Sequence, residues 1–178
     1  MMTTLSVEVV KSKIRAVPDF PKPGIIFRDI TTGIKDAEIM KFMVDYLCEQ
    51  YSDIKIDYIA GIESRGFIFG MPMAYKLNCG FIPIRKPNKL PAKTISESYG
   101  LEYGTDTIEM HEDAIEKGAN VLIVDDLLAT GGTAAAAAKL IKRAGGNLVG
   151  LAFLIELAGL NGREKLNDCG KVVSMLQY

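Results

Sequence analysis

Histidine occurs once in the 178 residues, at His111. A lone imidazole disfavours a zinc hydrolase and a Ser-His-Asp enzyme, because both need histidine acting together with other ligands or relay groups. His111 therefore reads as structural or solvent-facing, and no metal site is expected from protein side chains alone. Cysteine is scarce as well. Cys48, Cys79 and Cys169 are odd in number and widely spaced, which gives neither a metal-ligand pair nor a disulfide framework. They read as buried thiols in a reducing compartment. Net charge is almost absent: 21 basic and 22 acidic side chains leave −1, so no overall field draws the chain to nucleic acid or anionic lipid. An anionic ligand must be held by local groups. No apolar run reaches the roughly 18 residues of a spanning helix, and "MMTTLSVEVVKSKIRAV" lacks a basic region leading into an apolar one. The expected compartment is the cytoplasm, with neither membrane nor nucleic acid as a partner. Also missing are GxxxxGK(S/T) and GxGxxG, so a P-loop or dinucleotide fingerprint is not supported.

What is present is an ordinary globular composition, 48% hydrophobic and 24% charged, in a length that suits one domain over residues 1–178. Val7, Val10 and Ile14 have the three-four spacing of an amphipathic helix over residues 5–16, ended by Pro18. "DFPKPGIIFRDIT" is loop chemistry leading into an extended segment. Asp36 suits the N-cap of a helix whose Ile39, Met43, Tyr46 and Leu47 share a face. "IDYIAGI", "GFIPIRK", "GANVLIVDD" and "NLVGLAFLIEL" read as strands, with helices in "ESRGFIFGMPMAYKL" and in "GTAAAAAKLIKRAGG", the latter stopped by Gly145. Near-continuous apolar strands separated by helices predict an α/β fold with a mostly parallel sheet flanked by helices. Residues 86–110 interrupt this rhythm. They are polar and punctuated by Pro and Gly, and fit either a β-excursion or a mobile loop.

The most informative string is "VLIVDDLLATGGT", residues 121–133, an apolar strand followed by paired acids and a threonine-glycine turn into a helix. In an open parallel sheet, ligands sit beyond the carboxyl ends of the strands, which is where Asp125 and Asp126 fall. The amides of the turn and the helix N-terminus favour an anion, while Gly131 and Gly132 allow close approach and Thr130 and Thr133 offer hydroxyls. The two carboxylates would repel that anion and must face something else, a hydroxyl-rich sugar or a metal ion. A sugar-phosphate site combines these demands. A bare Asp pair before Gly-Gly also fits an ordinary strand-to-helix turn; the ordered combination is what favours the ligand site.

The same string resembles the phosphoribosyl pyrophosphate motif of type I phosphoribosyltransferases. "FPKPGIIFRDIT", "GIESRGFIFG", "LEYGTDTIEMH" and "LIELAGLNGREKL" resemble the adenine-specific members of that family, over nearly the whole chain from about residue 14. The resemblance implies a short N-terminal hood over about residues 1–35, a flexible catalytic loop over about residues 86–110, Mg²⁺ as cofactor and a homodimer. It implies pentosyl transfer from phosphoribosyl pyrophosphate to N9 of adenine, giving AMP and pyrophosphate in purine salvage. In that pattern Asp125 and Asp126 hold the ribose hydroxyls and Ala129, Thr130, Gly131, Gly132 and Thr133 wrap the 5-phosphate. Arg65 is expected at the pyrophosphate, with further positive charge from Arg85, Lys86 and Lys89. Main-chain groups of Ile26 and Arg28, with apolar faces from Phe27 and Leu157, would form the base site. Glu102, with Tyr103 beside it, matches the acid that handles the proton at N7, and Mg²⁺ is expected to arrive mainly on the substrate pyrophosphate. Glu63 stands where some relatives have Asp, a change of one methylene in reach.

Read without the family, these residues are less distinctive. Arg85, Lys86, Lys89 and Lys93 would suit a solvated charged loop, Phe27 a core position, and Glu97 and Glu109 dispensable surface acids. Two rivals follow. One is a sister enzyme acting on hypoxanthine, guanine, xanthine or orotate. The other is a regulator that binds the sugar pyrophosphate as a signal, for which no helix-turn-helix or basic face is apparent.

Overall fold

The computed structural model describes residues 5–100 and 104–178. The chain forms two compact units, Met1–Tyr46 and Leu47–Tyr178, whose boundary falls inside a helix and not at a linker.

The first unit begins with α1 (Val7–Lys13), N-capped by the Ser6 hydroxyl, which accepts from the Val9 amide at 3.3 Å. Val10 and Ile14 are buried, as the spacing predicts. The helix ends before residue 16, however, because Arg15–Pro18 is needed as a strand: β1 (Arg15–Pro18) pairs antiparallel with β2 (Ile26–Asp29). Asp29 closes this unit locally. It accepts from the Thr31 hydroxyl and Arg15, and these bonds bring its carboxyl down to about 2. A short α2 (Thr31–Ile34) then leads to α3 (Ala37–Glu49), with the Asp36 carboxylate accepting from the Glu38 and Ile39 amides at 3.2 and 3.4 Å, the expected cap.

The second unit carries a five-stranded, wholly parallel sheet. Its strands are β3 (Tyr58–Ile62), β4 (Gly80–Ile84), β7 (Asn120–Leu128), β8 (Asn147–Glu156) and β9 (Lys171–Gln177), in spatial order β4-β3-β7-β8-β9. The crossovers include α4 (Gly66–Leu77) and α5 (Gly132–Arg143). The central strand β7 buries Val121, Leu122, Ile123 and Val124 completely, the signature of a strand covered on both faces. Alanines 134, 136, 137 and 138 are the buried stripe of α5, where small side chains bring the helix close to the sheet. Gly145 ends that helix at φ 85°, as its sequence position predicts.

Two features depart from the sequence reading, and a third settles an alternative it left open. The strand does not stop at the two acids: β7 continues through Leu127 and Leu128, which pair with Ile155 and Glu156 of β8, so Asp125 and Asp126 lie within the strand. Strand β9 went unread because Lys171, Ser174 and Gln177 interrupt its apolar pattern at a sheet edge. Within residues 86–110, β5 (Thr94–Gly100) and β6 (Thr105–His111) form an antiparallel hairpin, the β-excursion alternative. Leu101, Glu102 and Tyr103 lie outside the described residues.

Candidate active site

Parallel register brings the carboxyl ends of β3, β4 and β7 together, since Ile62 pairs with Ile84 and Gly61 with Val124. The residues just past those ends are Glu63, Ser64, Arg65, Arg85 and Lys86, facing the acids of β7. All of these but Arg85 line a cavity of about 340 Å³, together with Tyr99, Asp125 and Asp126. A smaller concavity of about 70 Å³ lies beside it, formed by Asp125 and the Leu127–Ala134 turn. Gly66 opens α4 against β7 so tightly that a Cβ there would stand 2.6 Å from the Val124 carbonyl oxygen and 3.1 Å from Asp125 Oδ1. Glycine is thus required to bring Arg65 next to the acids.

The acid pair is held at an electrostatic cost. Asp126 is only 4% exposed, and its Oδ2 accepts from Arg65 Nε at 3.0 Å. The Asp125 carboxylate accepts from the Asp126 amide at 2.9 Å. Burial, and then the neighbouring Asp126 charge, push the Asp125 carboxyl well above the usual carboxylate range. Asp126 is raised by burial against the opposing pull of Arg65. Two adjacent acids whose carboxyls are both raised by burial are poor structural elements, and their presence argues for a ligand that supplies hydrogen-bond donors.

Each of three site cations has a carboxylate partner. Arg65 pairs with Asp126, as above. Arg85 Nε donates to Glu63 at 3.1 Å, and its Nη1 donates to the Lys89 carbonyl at 3.2 Å. Burial works against the Glu63 charge, but the Lys86 amide and Arg85 more than compensate and hold its carboxyl below the usual value. Lys86 bonds to Asp106 of β6 and donates to the Tyr99 hydroxyl of β5 at 3.1 Å. Burial opposes the Lys86 charge, yet the Asp106 and Tyr99 bonds raise its pKa. The Tyr99 hydroxyl in turn donates to Asp106 at 3.0 Å. Lys89 is exposed. Lys93 reaches only Glu112, at 3.9 Å, away from the cavity lining.

The turn after β7 has the form the sequence suggests. Gly131 sits at φ 77°, a left-handed conformation suited to glycine, and the twelve-residue α5 starts at Gly132. The Tyr99 ring and the Gly100 carbonyl oxygen lie 3.2 and 3.5 Å from where a Cβ on Gly132 would be, so the hairpin rests on this turn. Ala129 and Thr133 line both concavities, while Thr130 is exposed. His111 is structural, its Nε2 accepting from the Ala92 amide at 3.4 Å.

Ile26, Phe27 and Arg28 occupy β2 in the first unit, where Ile26 is half exposed and the Phe27 ring meets Phe20 edge-on at 5.3 Å. Strand β2 belongs to a two-stranded sheet with β1. Leu157 follows β8 in the second unit and is half-buried. Sequence reasoning missed Tyr99, Asp106 and Ser64 as site groups. Ser64 adjoins Arg65 in the string already singled out, whereas Tyr99 lines the cavity, and Asp106 bonds Lys86 and Tyr99 there, through a hairpin the local pattern left open. Glu97, read as a dispensable surface acid, is engaged: it bonds Lys139 at 3.1 Å and Arg143 at 3.0 Å on α5.

Comparison with known proteins agrees with this geometry. The phosphoribosyl transferase domain model matches residues 31–177. The adenine phosphoribosyltransferase of Solibacter usitatus is 59% identical over 169 residues, covering 95% of this chain and 97% of that protein. The crystal structure of the Thermoanaerobacter pseudethanolicus enzyme of the same name superposes with a TM-score of 0.94 at 49% identity, over 97% of this chain and 100% of that one. The Saccharomyces cerevisiae enzyme, crystallised with an imino-altritol bisphosphate and adenine, gives 0.90 at 41% identity, over 96% and 98%. With its parallel sheet, its paired acids at the strand ends and these likenesses along nearly its whole length, the chain belongs to the adenine phosphoribosyltransferases, a branch of the phosphoribosyl transferase domain family.

Proposed function

We propose that the protein transfers the 5-phosphoribosyl group of phosphoribosyl pyrophosphate to N9 of adenine, forming AMP and pyrophosphate. The observation that carries this reading is the Asp125–Asp126 pair, Asp126 buried and Asp125 half-buried, held at a cost beside the Ala129–Thr133 turn: one half suits ribose hydroxyls and the other a phosphate. In this reading Asp125 and Asp126 accept hydrogen bonds from the ribose hydroxyls, and the turn's amides and the Thr130 and Thr133 hydroxyls hold the 5-phosphate. Arg65, Arg85, Lys86 and Lys89 bind the pyrophosphate. The carboxylate partners of Arg65, Arg85 and Lys86 are exchanged for ligand oxygens as the donor enters.

Phe27 and the main chain of Ile26 and Arg28 are the proposed adenine-reading groups of the first unit, and Leu157 is a proposed apolar contact for the base from the second. The family's adenine specificity and the adenine in the yeast enzyme's crystal structure support this assignment. Glu102, with Tyr103 beside it, exchanges the N7 proton as the purine gains positive charge. The segment about 86–110 serves as the lid that excludes water from the developing oxocarbenium ion, with Tyr99 and Lys86 already against the cavity. Mg²⁺ fits the site as a companion of the donor: the acids can face its water shell, while no group of three His, Cys, Asp or Glu that could hold a metal is present among the described residues. Bound to pyrophosphate, the ion would spread the charge of the leaving group.

A homodimer is the proposed assembly. The exposed face of α4, where Tyr75 is 90% and Met71 52% exposed, is the kind of apolar surface a second copy would cover. The cytoplasm is the proposed compartment; no helix among the described residues is long and apolar enough to cross a membrane.

The test is an initial-rate panel of purines with phosphoribosyl pyrophosphate and Mg²⁺. A mismatched exocyclic group strands a buried polar atom at a cost of about 1–3 kcal/mol, so adenine should exceed hypoxanthine and guanine by about tenfold or more in kcat/KM. Equal use of another base would move the protein to a sister activity.

A further inference from the structure

The string "LIELAGLNGREKL" contributes only Leu157 to the account above, yet its loop touches the phosphate turn directly. After β8 the chain makes two short 3-10 turns, Ala158–Leu160 and Gly162–Leu166. Gly162 lies backbone against backbone with Ala129 and Gly131. A Cβ on Gly162 would overlap the Ala129 carbonyl oxygen and stand 2.8 Å from the Gly131 nitrogen; a Cβ on Gly131 would overlap the Gly162 carbonyl oxygen. Gly162 is not in the left-handed region, so its own conformation does not demand glycine. The neighbouring main chain does.

The next residue fixes this loop in place. Arg163 bonds both carboxylate oxygens of Glu156, through Nε at 3.1 Å and through Nη2. It also donates from Nη1 to the Val172 carbonyl at 2.8 Å and from Nη2 to the Ser174 hydroxyl at 3.3 Å, tying the loop to the end of β8 and to the first half of β9. Glu156 is 6% exposed, and Arg163 holds its carboxyl below the usual range. A two-pronged ion pair to a buried carboxylate defines position more sharply than a single surface contact.

We infer that Gly162, pinned by the Glu156–Arg163 pair, is a positioning residue for the Ala129–Thr133 turn and so sets the affinity for the phosphate end of the donor. This rests on the reading of that turn as the 5-phosphate site. Neither Gly162 nor Arg163 lines either concavity. A Cβ on Gly162 must push back a carbonyl oxygen and an amide of the turn, groups that cannot swing aside as a flexible side chain would.

The experiment compares Gly162→Ala, Arg163→Lys and Thr133→Val in steady-state kinetics and in calorimetric titration with ribose 5-phosphate. Gly162→Ala should raise the KM for phosphoribosyl pyrophosphate and the Kd for ribose 5-phosphate about tenfold or more while leaving kcat at saturating donor within about threefold. General destabilisation would instead lower the active fraction, and with it kcat, at constant KM. Arg163→Lys keeps the charge but loses the fork, so the same split should appear at about threefold. If Gly162→Ala does not fold, Arg163→Lys decides. An unchanged KM and Kd in folded Gly162→Ala, or in Arg163→Lys when that variant decides, overturns the inference. Thr133→Val separates it from the underlying reading. If that variant weakens ribose 5-phosphate and the positioning variants do not, the phosphate reading stands and the inference falls. If none of the three weakens it, both fall.

Discussion

The two ends of the parallel sheet carry similar side chains to opposite effect. At the amino ends of β3, β4 and β7 lies the larger opening, about 800 Å³ against about 340 Å³ at the carboxyl ends. It too has acids and bases: Lys55 pairs with Asp57 at 2.8 Å, and the Asn120 amide donates to the other Asp57 oxygen at 2.8 Å. There the carboxyl is held below its ordinary value by Lys55 and the amide, in a pair whose lysine is 81% exposed. At the carboxyl ends, burial pushes Asp125 and Asp126 the other way. Volume therefore identifies the wrong end. The site is where charge is kept at a cost, beside a turn whose amides have room for an anion.

The largest effect that would sharpen this contrast belongs to Glu102, which follows the hairpin strand resting on the phosphate turn. Glu102→Gln keeps size and most hydrogen bonding but cannot ionise, so kcat should fall by about 10² to 10⁴ with donor affinity little changed. Single-turnover kinetics check this, and a wild-type chemical rate would assign the proton to another group. Glu97 cannot serve as the inert control that its sequence context suggests, since it joins β5 to α5 through Lys139 and Arg143. Glu109→Gln is the better control, although its carboxylate accepts from the Asn88 amide at 3.3 Å.

Next in size is the acid pair itself. Replacing both Asp125 and Asp126 with Ala should weaken phosphoribosyl pyrophosphate by about 100-fold or more, because several charged hydrogen bonds are lost together. Asp57→Asn at the opposite end should leave donor affinity within about twofold, since exposed ion pairs contribute little. Calorimetry on the folded variants decides. Unchanged donor affinity in the double variant would remove the assignment.

The smallest effect concerns stability and has a fixed sign. An acid whose folded pKa is raised binds more protons folded than unfolded, so its contribution is unfavourable above that pKa and vanishes below the unfolded value. Asp125→Asn should therefore stabilise the fold at neutral pH, by about 2 °C or more in Tm, with the gain disappearing as pH falls below about 4. The Asn carbonyl can still accept from the Asp126 amide. The corresponding change at Asp57 has the opposite sign: its lowered pKa is a stabilising contribution at neutral pH, and Asp57→Asn should lower Tm slightly. Thermal scans across pH distinguish the two ends, and a loss of Tm for Asp125→Asn at pH 7 would contradict the burial argument.

Much of this arrangement was legible because it is encoded locally. The apolar runs of β3, β4, β7 and β8 need burial on both faces, Asp36 and Gly145 mark helix ends, and "DDLLATGGT" puts acids, turn and helix in order within one string. What was not legible is non-local. Arg85 finds Glu63 across 22 residues and Lys86 finds Asp106 across 20, pairings that depend on strand register. The hairpin β5–β6 is solvated on one face, so its residues alternate without a long apolar run. Glycine at 162 gives no local hint of its role, since only the folded chain brings it against Ala129 and Gly131.

The most direct measurement is amide hydrogen exchange on the wild-type protein with and without phosphoribosyl pyrophosphate and Mg²⁺, because it locates the ligand without altering either end of the sheet. The account predicts slowed exchange across residues 125–133 and in the β5–β6 hairpin, with residues 55–58 and 116–119 unchanged. Slowed exchange confined to residues 55–58 and 116–119, with the Ala129–Thr133 turn unaffected, would place the donor at the other end of the sheet and contradict the account.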